Sequence, residues 1–215
     1  MADPELYAPT ARTTLKRRPQ RGRHDKAGVH AMLDAGVVCQ IGYVDDGCPK
    51  VLATVFWRTG EQVFWHGARQ NGALKAMAGA RVCFTVTHLD GLVLARAAFK
   101  HSANYRSVMA FGAARLIEAP AQKRAALQAM IERLYPGRWA TIRPPTEVEL
   151  AAVSVLSLDL KEVSAKQREG PPLDADEDLD IPVWAGVAPL SLQAGGLVPC
   201  TKLRSGIPIP QLLSV

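Results

Sequence analysis

Residues 81–118, "RVCFTVTHLDGLVLARAAFKHSANYRSVMAFGAARLIE", carry the densest strand signals in the chain. Apolar and β-branched residues predict strands at 81–87, 92–99 and 108–118, with a turn at residues 88–91, "HLDG". The polar segment 100–107 separates the last two strands and contains Arg106 and Ser107. A hairpin turn needs about two to five residues. This segment is longer than that, and it also holds more hydrogen-bond donors than a turn requires. We therefore consider it a candidate ligand-binding or subunit-interface loop.

Further strands are predicted on both sides of this stretch, at 37–44, 50–57, 62–66 and 153–163. The "DDG" of residues 45–47 predicts a hairpin turn between the first two of them. Helices are predicted at 25–36, where Asp25 can cap the first turn, at 71–78, and at 120–137, which begins with Pro120. Because strands predominate and no βαβ repeat is present, we predict a mainly β protein, an antiparallel barrel with peripheral helices.

Composition divides the chain into a basic N-terminal arm at 1–24, a β-barrel domain at 25–170 and a Pro- and Gly-rich tail at 171–215. Residues 12–26 carry a local charge of +6, which equals the net charge of the whole chain. Such an arm can bind nucleic acid, remain solvated or pack on a partner subunit. Nucleic-acid binding is disfavoured because no recognition motif accompanies the charge. The acidic residues 174–180 are expected to form a solvated loop, and the tail to wrap the barrel or the partner subunit.

The sequence lacks the residues that several functional classes of protein require. No apolar run approaches the ~18 residues of a membrane span, and the first residues lack the apolar core of a secretory signal. We therefore expect no membrane partner and a cytoplasmic location. The four cysteines form no CxxC pair, and no metal site is predicted. No Ser-His-Asp spacing, P-loop or GxGxxG motif points to a hydrolase or a kinase.

A strand runs directly into a short helix in "VFWHGARQNGALKAM", residues 63–77. The first turn of a helix offers unpaired backbone N–H groups that suit a phosphate, and small residues keep the backbone accessible. The candidate ligand-binding residues of this junction are Trp65, His66, Gly67, Ala68, Asn71 and Gly72. The simpler alternative, which physical chemistry alone favours, is a strand-to-helix turn with a capping Asn71 and a structural His66.

Two further groups of basic residues lie at strand ends. Arg106 beside Ser107 offers a guanidinium fork and a hydroxyl, which suit a phosphate or a carboxylate. Lys166 and Arg168 stand two residues apart at the end of a strand, so their side chains face one side. The alternatives are a polar subunit interface for the first pair and an exposed basic strand end for the second.

The order of motifs along the chain is similar to that of a known family. Its most specific parts are "THLDGLVLAR" (87–96), "SANYRSV" (102–108) and "VSAKQREG" (163–170), accompanied by "KVLATVFWR", "VFWHGA", "YPGRW" and "PVWAGV". Over residues 20–190 the chain resembles the flavin-nucleotide-binding relatives of pyridoxamine 5′-phosphate oxidase, which include nitroimidazole-resistance proteins. The resemblance implies an FMN-binding split β-barrel that forms a homodimer with the cofactor at the subunit interface.

The resemblance also assigns residues. It places a strand along the flavin ring, formed by Lys50, Val51, Leu52, Ala53, Thr54 and Val55, and it makes Trp65 and His66 the next flavin contacts. Arg106 and Ser107 match an oxidase pair whose second member touches FMN. Lys166, Arg168 and Trp184 match positions of the nitroimidazole-resistance branch and are expected near the cofactor from the other subunit.

Two departures from the oxidases separate this chain from the true pyridoxamine-phosphate oxidases. Asn71-Gly72 stands where the oxidases carry an Arg-Lys pair on the phosphate, so another cation is expected there: Lys50, Arg69, Lys75 or Arg106. The C-terminal Arg-x-His substrate motif of the oxidases is absent. These departures argue against a true pyridoxamine 5′-phosphate oxidase.

The resemblance implies an FMN-dependent oxidoreductase that reduces a small acceptor, such as a nitroaromatic compound, with NAD(P)H as a possible electron donor. The flavin carries the redox chemistry in such an enzyme, and His66 is the candidate catalytic side chain, as proton donor or polariser. The alternative from another class is a non-catalytic flavin- or haem-binding protein that acts as a carrier or sensor. The absence of an evident acid–base set favours that alternative.

Overall fold

Ten strands, four α-helices and four short 3-10 helices make up the regular structure of residues 5–210, the part of the chain that the computed structural model describes. The strands are β1 (Gly22–Arg23), β2 (Val38–Asp45), β3 (Cys48–Thr59), β4 (Gln62–Ala68), β5 (Arg81–Leu94), β6 (Ser102–Ala113), β7 (Arg115–Leu116), β8 (Val153–Asp159), β9 (Glu162–Arg168) and β10 (Gly186–Pro189). The helices are α1 (Lys26–Asp34), α2 (Gly72–Met77), α3 (Pro120–Leu134) and α4 (Glu147–Ala152). Within residues 5–210, none of the helices is long and apolar enough to cross a membrane.

All strand pairs are antiparallel, in the order β1-β9-β6-β5-β2-β3-β4-β8-β7, with β10 added to β5. Strands β8 and β9 lie toward opposite ends of this order, yet only residues 160 and 161 connect them. This short connection brings the two ends of the sheet together without a hydrogen-bonded pairing between β8 and β9. The sheet therefore curls into a barrel with one open seam, the split β-barrel that the sequence predicted.

The barrel interior holds the main core. Phe56 and Phe84 meet edge to face with ring centroids 5.2 Å apart, and Trp65 lies beside Phe84. Helices α1 and α2 bury Leu33 and Met77 in the same core. Burial of these large side chains removes apolar surface from water and supplies most of the driving force for closing the sheet.

Helix α3 covers only one part of the outer barrel surface. It packs Ala126, Leu127 and Met130 against Trp57 and Phe64, whose rings stack 5.8 Å apart on strands β3 and β4. The outer surface of the other strands has no such covering helix among the described residues. The barrel is consequently covered on one side and uncovered on the other.

Several local predictions are confirmed. Asp25 caps α1 by accepting a hydrogen bond from the backbone N–H of Gly28. Asp46 and Gly47 have φ values of 50° and 72° and form the two-residue hairpin turn between β2 and β3. Helix α3 begins at Pro120, as predicted.

The predictions for residues 88–118 are wrong in three places, the first being the strand predicted at 92–99, which ends at Leu94 and is followed by a one-turn 3-10 helix at Ala98–Lys100. Residues 88–91 form no turn, because β5 continues through them with a bulge between Leu89 and Gly91. A side chain at Gly91 would meet the carbonyl oxygen of Ala188 at 3.0 Å, so glycine allows β10 to approach. Residues 102–107 of the polar segment likewise form no loop, since β6 starts at Ser102 and runs to Ala113.

Two further predictions are corrected. The strand predicted at 153–163 is a pair, because the chain reverses at residues 160 and 161, where the Leu160 N–H donates to Glu61 O. The acidic segment 174–180 is not wholly solvated, since the Asp174 side chain is only 2% exposed and pairs with Arg96 at 3.0 Å.

The described part of the N-terminal arm lies on the barrel. Tyr7 and Thr13 are buried, and the Tyr7 hydroxyl lies 2.8 Å from both His30 Nε2 and Glu61 Oε2. Arg12 forms a two-pronged ion pair with Glu162. These contacts anchor residues 7–13 to α1, the β3–β4 turn and β9.

Candidate functional site

Five adjacent strands, β3, β2, β5, β6 and β9, present one broad surface that we call the outer face. Alternate residues point to it because successive side chains of a strand face opposite sides of a sheet. The cross-strand partners form rows across it, one of which joins Val51, Gly42, Cys83 and Phe111. Their neighbours Ile41 and Phe84 point inward and are completely buried. The outer face carries exposed apolar side chains, among them Val38, Val44, Val51, Leu89 and Met109.

Strand β3 divides its predicted flavin contacts between two sides. Val51, Ala53 and Val55 lie on the outer face, and Val51 is 70% exposed. Leu52 faces the opposite side and packs against the barrel core. The Lys50 ammonium group lies 2.7 Å from Asp45, and this contact raises the pKa of Lys50. Only alternate residues of the predicted strand can therefore contact a ligand on the outer face through their side chains.

The first half of β3 also has a free edge. Residues 48–55 pair with β2 on one side, whereas β4 pairs only with residues 56–59 on the other. The backbone N–H and C=O groups along the free edge have no strand partner among the described residues. Such groups are available to a partner strand or to a ligand with its own hydrogen-bonding edge.

Trp65 and His66 follow each other on β4 and point to opposite sides. The Trp65 side chain has no exposed surface and lies in the barrel core, so it presents no side-chain contact to a ligand outside. His66 lies outside, tilted against Trp57 with ring centroids 5.9 Å apart. Burial lowers the pKa of His66, and its buried Nδ1 has no hydrogen-bond partner among the described residues. His66 is consequently held as a neutral imidazole at neutral pH.

The junction between β4 and α2 has the geometry of a strand-to-helix turn capped by Asn71, which was the simpler of the two alternatives predicted from the sequence. The side chain of Asn71 accepts a hydrogen bond from the Ala73 N–H at 2.9 Å and caps α2. At Gly67 a side chain would come within 3.2 Å of Leu74, so the small residue permits close packing of strand and helix. Ala68 pairs with Val153 of β8, and Gly72 begins the helix with open space at its Cα. The amide oxygen of Asn71 is thus used within the chain.

Arg106 and Ser107 do not act together, because they are neighbours on β6 and face opposite sides. The guanidinium group of Arg106 is occupied by Asp90, with N–O distances of 2.9 and 2.7 Å. This pairing lowers the pKa of Asp90 and raises that of Arg106. Ser107 lies on the outer face, where its hydroxyl donates to the Lys166 carbonyl at 3.4 Å. The predicted fork therefore binds a carboxylate, but one from its own chain.

Lys166 and Arg168 lie on one side of β9, as predicted, in different environments. Arg168 is 7% exposed and donates to Asn104 Oδ1 and to the carbonyl oxygens of Gly170 and Pro171. It therefore fixes the start of the tail. Lys166 is half-buried beside Ser107. Trp184 stands in the tail just before β10 and is 65% exposed.

Two groups of residues that the sequence did not predict as ligand contacts stand out in the structure. The first is a set of arginines, Arg18, Arg21 and Arg23, that the arm brings next to Arg168 around one cavity. The second is His101 with its neighbour Phe99, whose side chain is 91% exposed. His101 Nδ1 lies 3.1 Å from the Ala97 carbonyl oxygen, which can only accept, so Nδ1 carries the proton. The exposed Phe99 is a signal that could have drawn attention to this segment.

The split barrel and its outer face define a fold class, and comparisons with known proteins place the chain within it. The family described as Pyridoxamine 5'-phosphate oxidase matches residues 25–167. The chain belongs to this family, which confirms the resemblance seen in the sequence. No curated protein matches the chain.

Two solved structures are similar over almost the whole chain. The flavocytochrome Anf3 from Azotobacter vinelandii is 41% identical, with a TM-score of 0.90, over 94% of this chain and 95% of that one. The FAD and heme binding protein from Mycobacterium smegmatis is 37% identical, with a TM-score of 0.85, over 88% of this chain and 94% of that one. A putative 5-nitroimidazole antibiotic resistance protein from Bacteroides thetaiotaomicron VPI-5482 is 20% identical, with a TM-score of 0.56, over 67% of this chain and 85% of that one. This last likeness concerns the fold alone.

Proposed function

We propose that this chain is a flavin-dependent redox protein that works as a homodimer, with the flavin held where the outer faces of two subunits meet. The observation that carries the proposal is the outer face itself. It exposes apolar side chains such as Val51 and Met109 that no helix of the described residues covers. Uncovered apolar surfaces of this kind are typical of subunit or ligand interfaces. The resemblance to dimeric flavoproteins indicates that the ligand bound between the two outer faces is a flavin.

The residues at the free edge of β3 fit a flavin. An isoalloxazine ring has an apolar body and a uracil-like edge of alternating donors and acceptors. Val51 and Ala53 offer apolar surface for the body, and the unpaired backbone groups of residues 48–55 offer partners for the edge. Ser107 and Lys166 add a hydroxyl and a cation on the same face. These four residues would hold the cofactor.

Two forms of the cofactor are compatible with this arrangement. The family resemblance favours FMN, whereas the name of the 37% identical relative favours FAD. Both carry the same ring, so the contacts proposed for β3 apply to either. Mass spectrometry of the cofactor released from the purified protein distinguishes them, and a purified protein without flavin that also fails to take up FMN or FAD would contradict the proposal.

We further propose an oxidoreductase role, in the cytoplasm, with NAD(P)H as electron donor and a small acceptor such as a nitroaromatic compound. The bound flavin supplies hydride and electron transfer. His66 contributes a neutral imidazole, which can donate a hydrogen bond but is a poor source of a full proton. A flavin absorbance band that NAD(P)H bleaches and the acceptor restores is the expected result. A band inert to both would instead support the flavin carrier or sensor.

Haem binding is a second proposed property, favoured by the names of the structural relatives that are 41% and 37% identical to this chain. The described residues contain a suitable ligand in His101. Its Nδ1 donates to the Ala97 carbonyl, which leaves the lone pair of Nε2 directed away from the backbone. Iron-binding histidines usually have this arrangement, because the hydrogen bond fixes the tautomer and the ring orientation. Phe99 offers an exposed aromatic surface two residues away.

Absorption spectra of the wild type and two variants test the haem proposal. The wild type, reconstituted with haem, should show a Soret band, and His101→Ala should abolish or shift it while the flavin band persists. His66→Ala is the matched control, since His66 also has an unpartnered ring nitrogen among the described residues. An unchanged Soret band in His101→Ala would contradict the assignment of His101 as ligand.

A further inference from the structure

A cavity of about 480 Å³ lies between the N-terminal arm and the end of β9, away from the free edge of β3. Four arginines line it: Arg18, Arg21 and Arg23 from the arm, and Arg168 from β9. Glu169 is its single acidic lining residue. Its size is within the range of small-molecule binding sites.

The positive charge of this arginine cavity is not neutralised within the described residues. Arg18, Arg21 and Arg23 form no ion pair in residues 5–210, and Arg168 donates only to neutral oxygens. Burial lowers the pKa of Arg168, and repulsion from Arg21 and Arg18 lowers it further. Elsewhere in the described chain, Arg12, Arg58, Arg96, Arg106, Arg124 and Arg143 are each paired with a carboxylate. The lining therefore sets four arginines against the one carboxylate of Glu169 and keeps a net positive charge.

The backbone holds these arginines in place. Gly22 and Arg23 form β1, which pairs with Lys166 and Ala165 of β9. Arg18 has a φ of 55°, in the left-handed region that residues with side chains rarely adopt. It accepts a hydrogen bond from the Arg21 N–H at 3.0 Å, which closes the turn. Like-charged side chains are thus brought together by a fixed local structure, and an anionic ligand would relieve their repulsion.

We propose that the arginine cavity binds the diphosphate group of a nucleotide. Guanidinium forks match phosphate oxygens geometrically, and the three that form no ion pair in residues 5–210, those of Arg18, Arg21 and Arg23, line one volume, which suits a group with more than one phosphate. A single phosphate would fill little of the cavity, whereas the remaining space, beside Pro171 and Leu173, can take a ring or a sugar. The inference stands on this cavity alone and holds whether or not a flavin occupies the outer face.

Calorimetric titration of the full-length protein with inorganic pyrophosphate and with orthophosphate tests the site. Pyrophosphate should bind more tightly than orthophosphate, and the double variant Arg21→Gln/Arg23→Gln should weaken its binding at least about tenfold, the loss expected for one charge-assisted hydrogen bond. The double variant Lys16→Gln/Arg17→Gln is the control, because it removes the same charge from neighbouring residues outside the cavity. Circular dichroism and thermal melting confirm that both variants are folded.

Titrations with FAD, FMN and ADP identify the source of the diphosphate. A loss of affinity for FAD but not FMN in Arg21→Gln/Arg23→Gln would show that the cavity holds part of the flavin cofactor. A loss of ADP binding at unchanged flavin content would show a separate nucleotide site. Either result supports the proposal. Equal losses in both double variants, or pyrophosphate binding no tighter than orthophosphate, would indicate general electrostatic attraction and overturn it.

Discussion

Arg106 and Asp90 lie on neighbouring strands and form a two-pronged ion pair, with Nε–Oδ2 and Nη2–Oδ1 distances of 2.9 and 2.7 Å. The pair joins β6 to the bulge of β5. Each side chain is about one third exposed. The arginine that the sequence offered as an anion-binding group is thereby committed to its own chain.

Replacing Arg106 by Ala should therefore reduce stability and leave flavin occupancy unchanged. Loss of a partly exposed, two-pronged pair costs about 1 kcal/mol, or a fall of roughly 2–4 °C in Tm for a chain of this size. Thermal melting and the flavin-to-protein absorbance ratio measure the two effects. Flavin loss in Arg106→Ala at an unchanged Tm would assign Arg106 to the cofactor instead.

The same ion pair predicts that the stability of the folded protein falls at acid pH. Because Arg106 lowers the pKa of Asp90 in the folded state, the pair contributes stability above the unfolded pKa of Asp90. That contribution is lost as the pH falls through the lower, folded pKa. Chemical denaturation between pH 7 and pH 2 should show a smaller acid-induced loss of stability for Asp90→Asn than for the wild type. Equal acid losses in the two proteins would show that the pair does not govern this range.

Introducing a charge on the outer face should dissociate the proposed dimer. Val51→Lys places an ammonium group where two apolar faces would meet, and Val51 is exposed enough in one chain for the variant to fold. Light scattering after size exclusion should give the mass of one chain, with loss of flavin. Val148→Lys is the matched control, since Val148 is exposed on α4, away from that face. A dimeric Val51→Lys would contradict the placement of the interface.

His66 should make the protein less stable as the pH falls through the range of histidine titration. Burial lowers its folded pKa, so the unfolded chain binds the proton more readily and stability is lost as the pH falls below the ordinary value of 6.5. His66→Gln should reduce this slope, measured by denaturation between pH 8 and pH 5. Part of the slope should remain, because burial also lowers the pKa of His30. An unaltered slope in His66→Gln would show that protonation of His66 does not contribute to the loss of stability.

Disrupting the ion pair between Asp174 and Arg96 should loosen the tail. Asp174 is nearly fully buried and accepts hydrogen bonds from both the backbone N–H and the Nη1 of Arg96. Asp174→Ala leaves a guanidinium without its carboxylate, at a cost of about 3 kcal/mol. Limited proteolysis should then cut within residues 170–185 faster than in the wild type. Asp176→Ala, at an exposed position in the same segment, should be cut at the wild-type rate.

Much of the local structure could be predicted because it depends on residues close together in the chain. Asp25 caps α1 through the backbone N–H three residues further on, and Asp46-Gly47 forms the turn of a hairpin whose strands flank it. The mistakes concern distant contacts. The "HLDG" of residues 88–91 has the composition of a turn, but pairing with β6 and β10 keeps it extended. Residues 102–107 are polar enough for a loop, but they belong to a strand with one polar side.

In the candidate site, too, some features could be predicted from the sequence and others depend on contacts between distant strands. The motifs identified the family and the strands that carry the proposed site, since they are properties of the sequence itself. Which side chains of those strands face a common surface depends on register, which strand pairing sets. Register puts Val51, Ser107 and Lys166 on the outer face, and it turns Trp65 into the core. It also places Arg106 where it can pair with Asp90.

The sequence by itself determined the family, the antiparallel β class, the caps of α1 and α2 and the tight turn at Asp46-Gly47, because each depends on residue types at short spacing. Only the tertiary structure decided which of the candidate residues remain available to a ligand. Arg106 and Asn71 are engaged by partners within the chain, and Trp65 is enclosed by the barrel. Folding also brought Arg18, Arg21 and Arg23 beside Arg168, about 150 residues later in the sequence. Contacts between such distant residues arise from chain topology, which composition and local pattern do not encode.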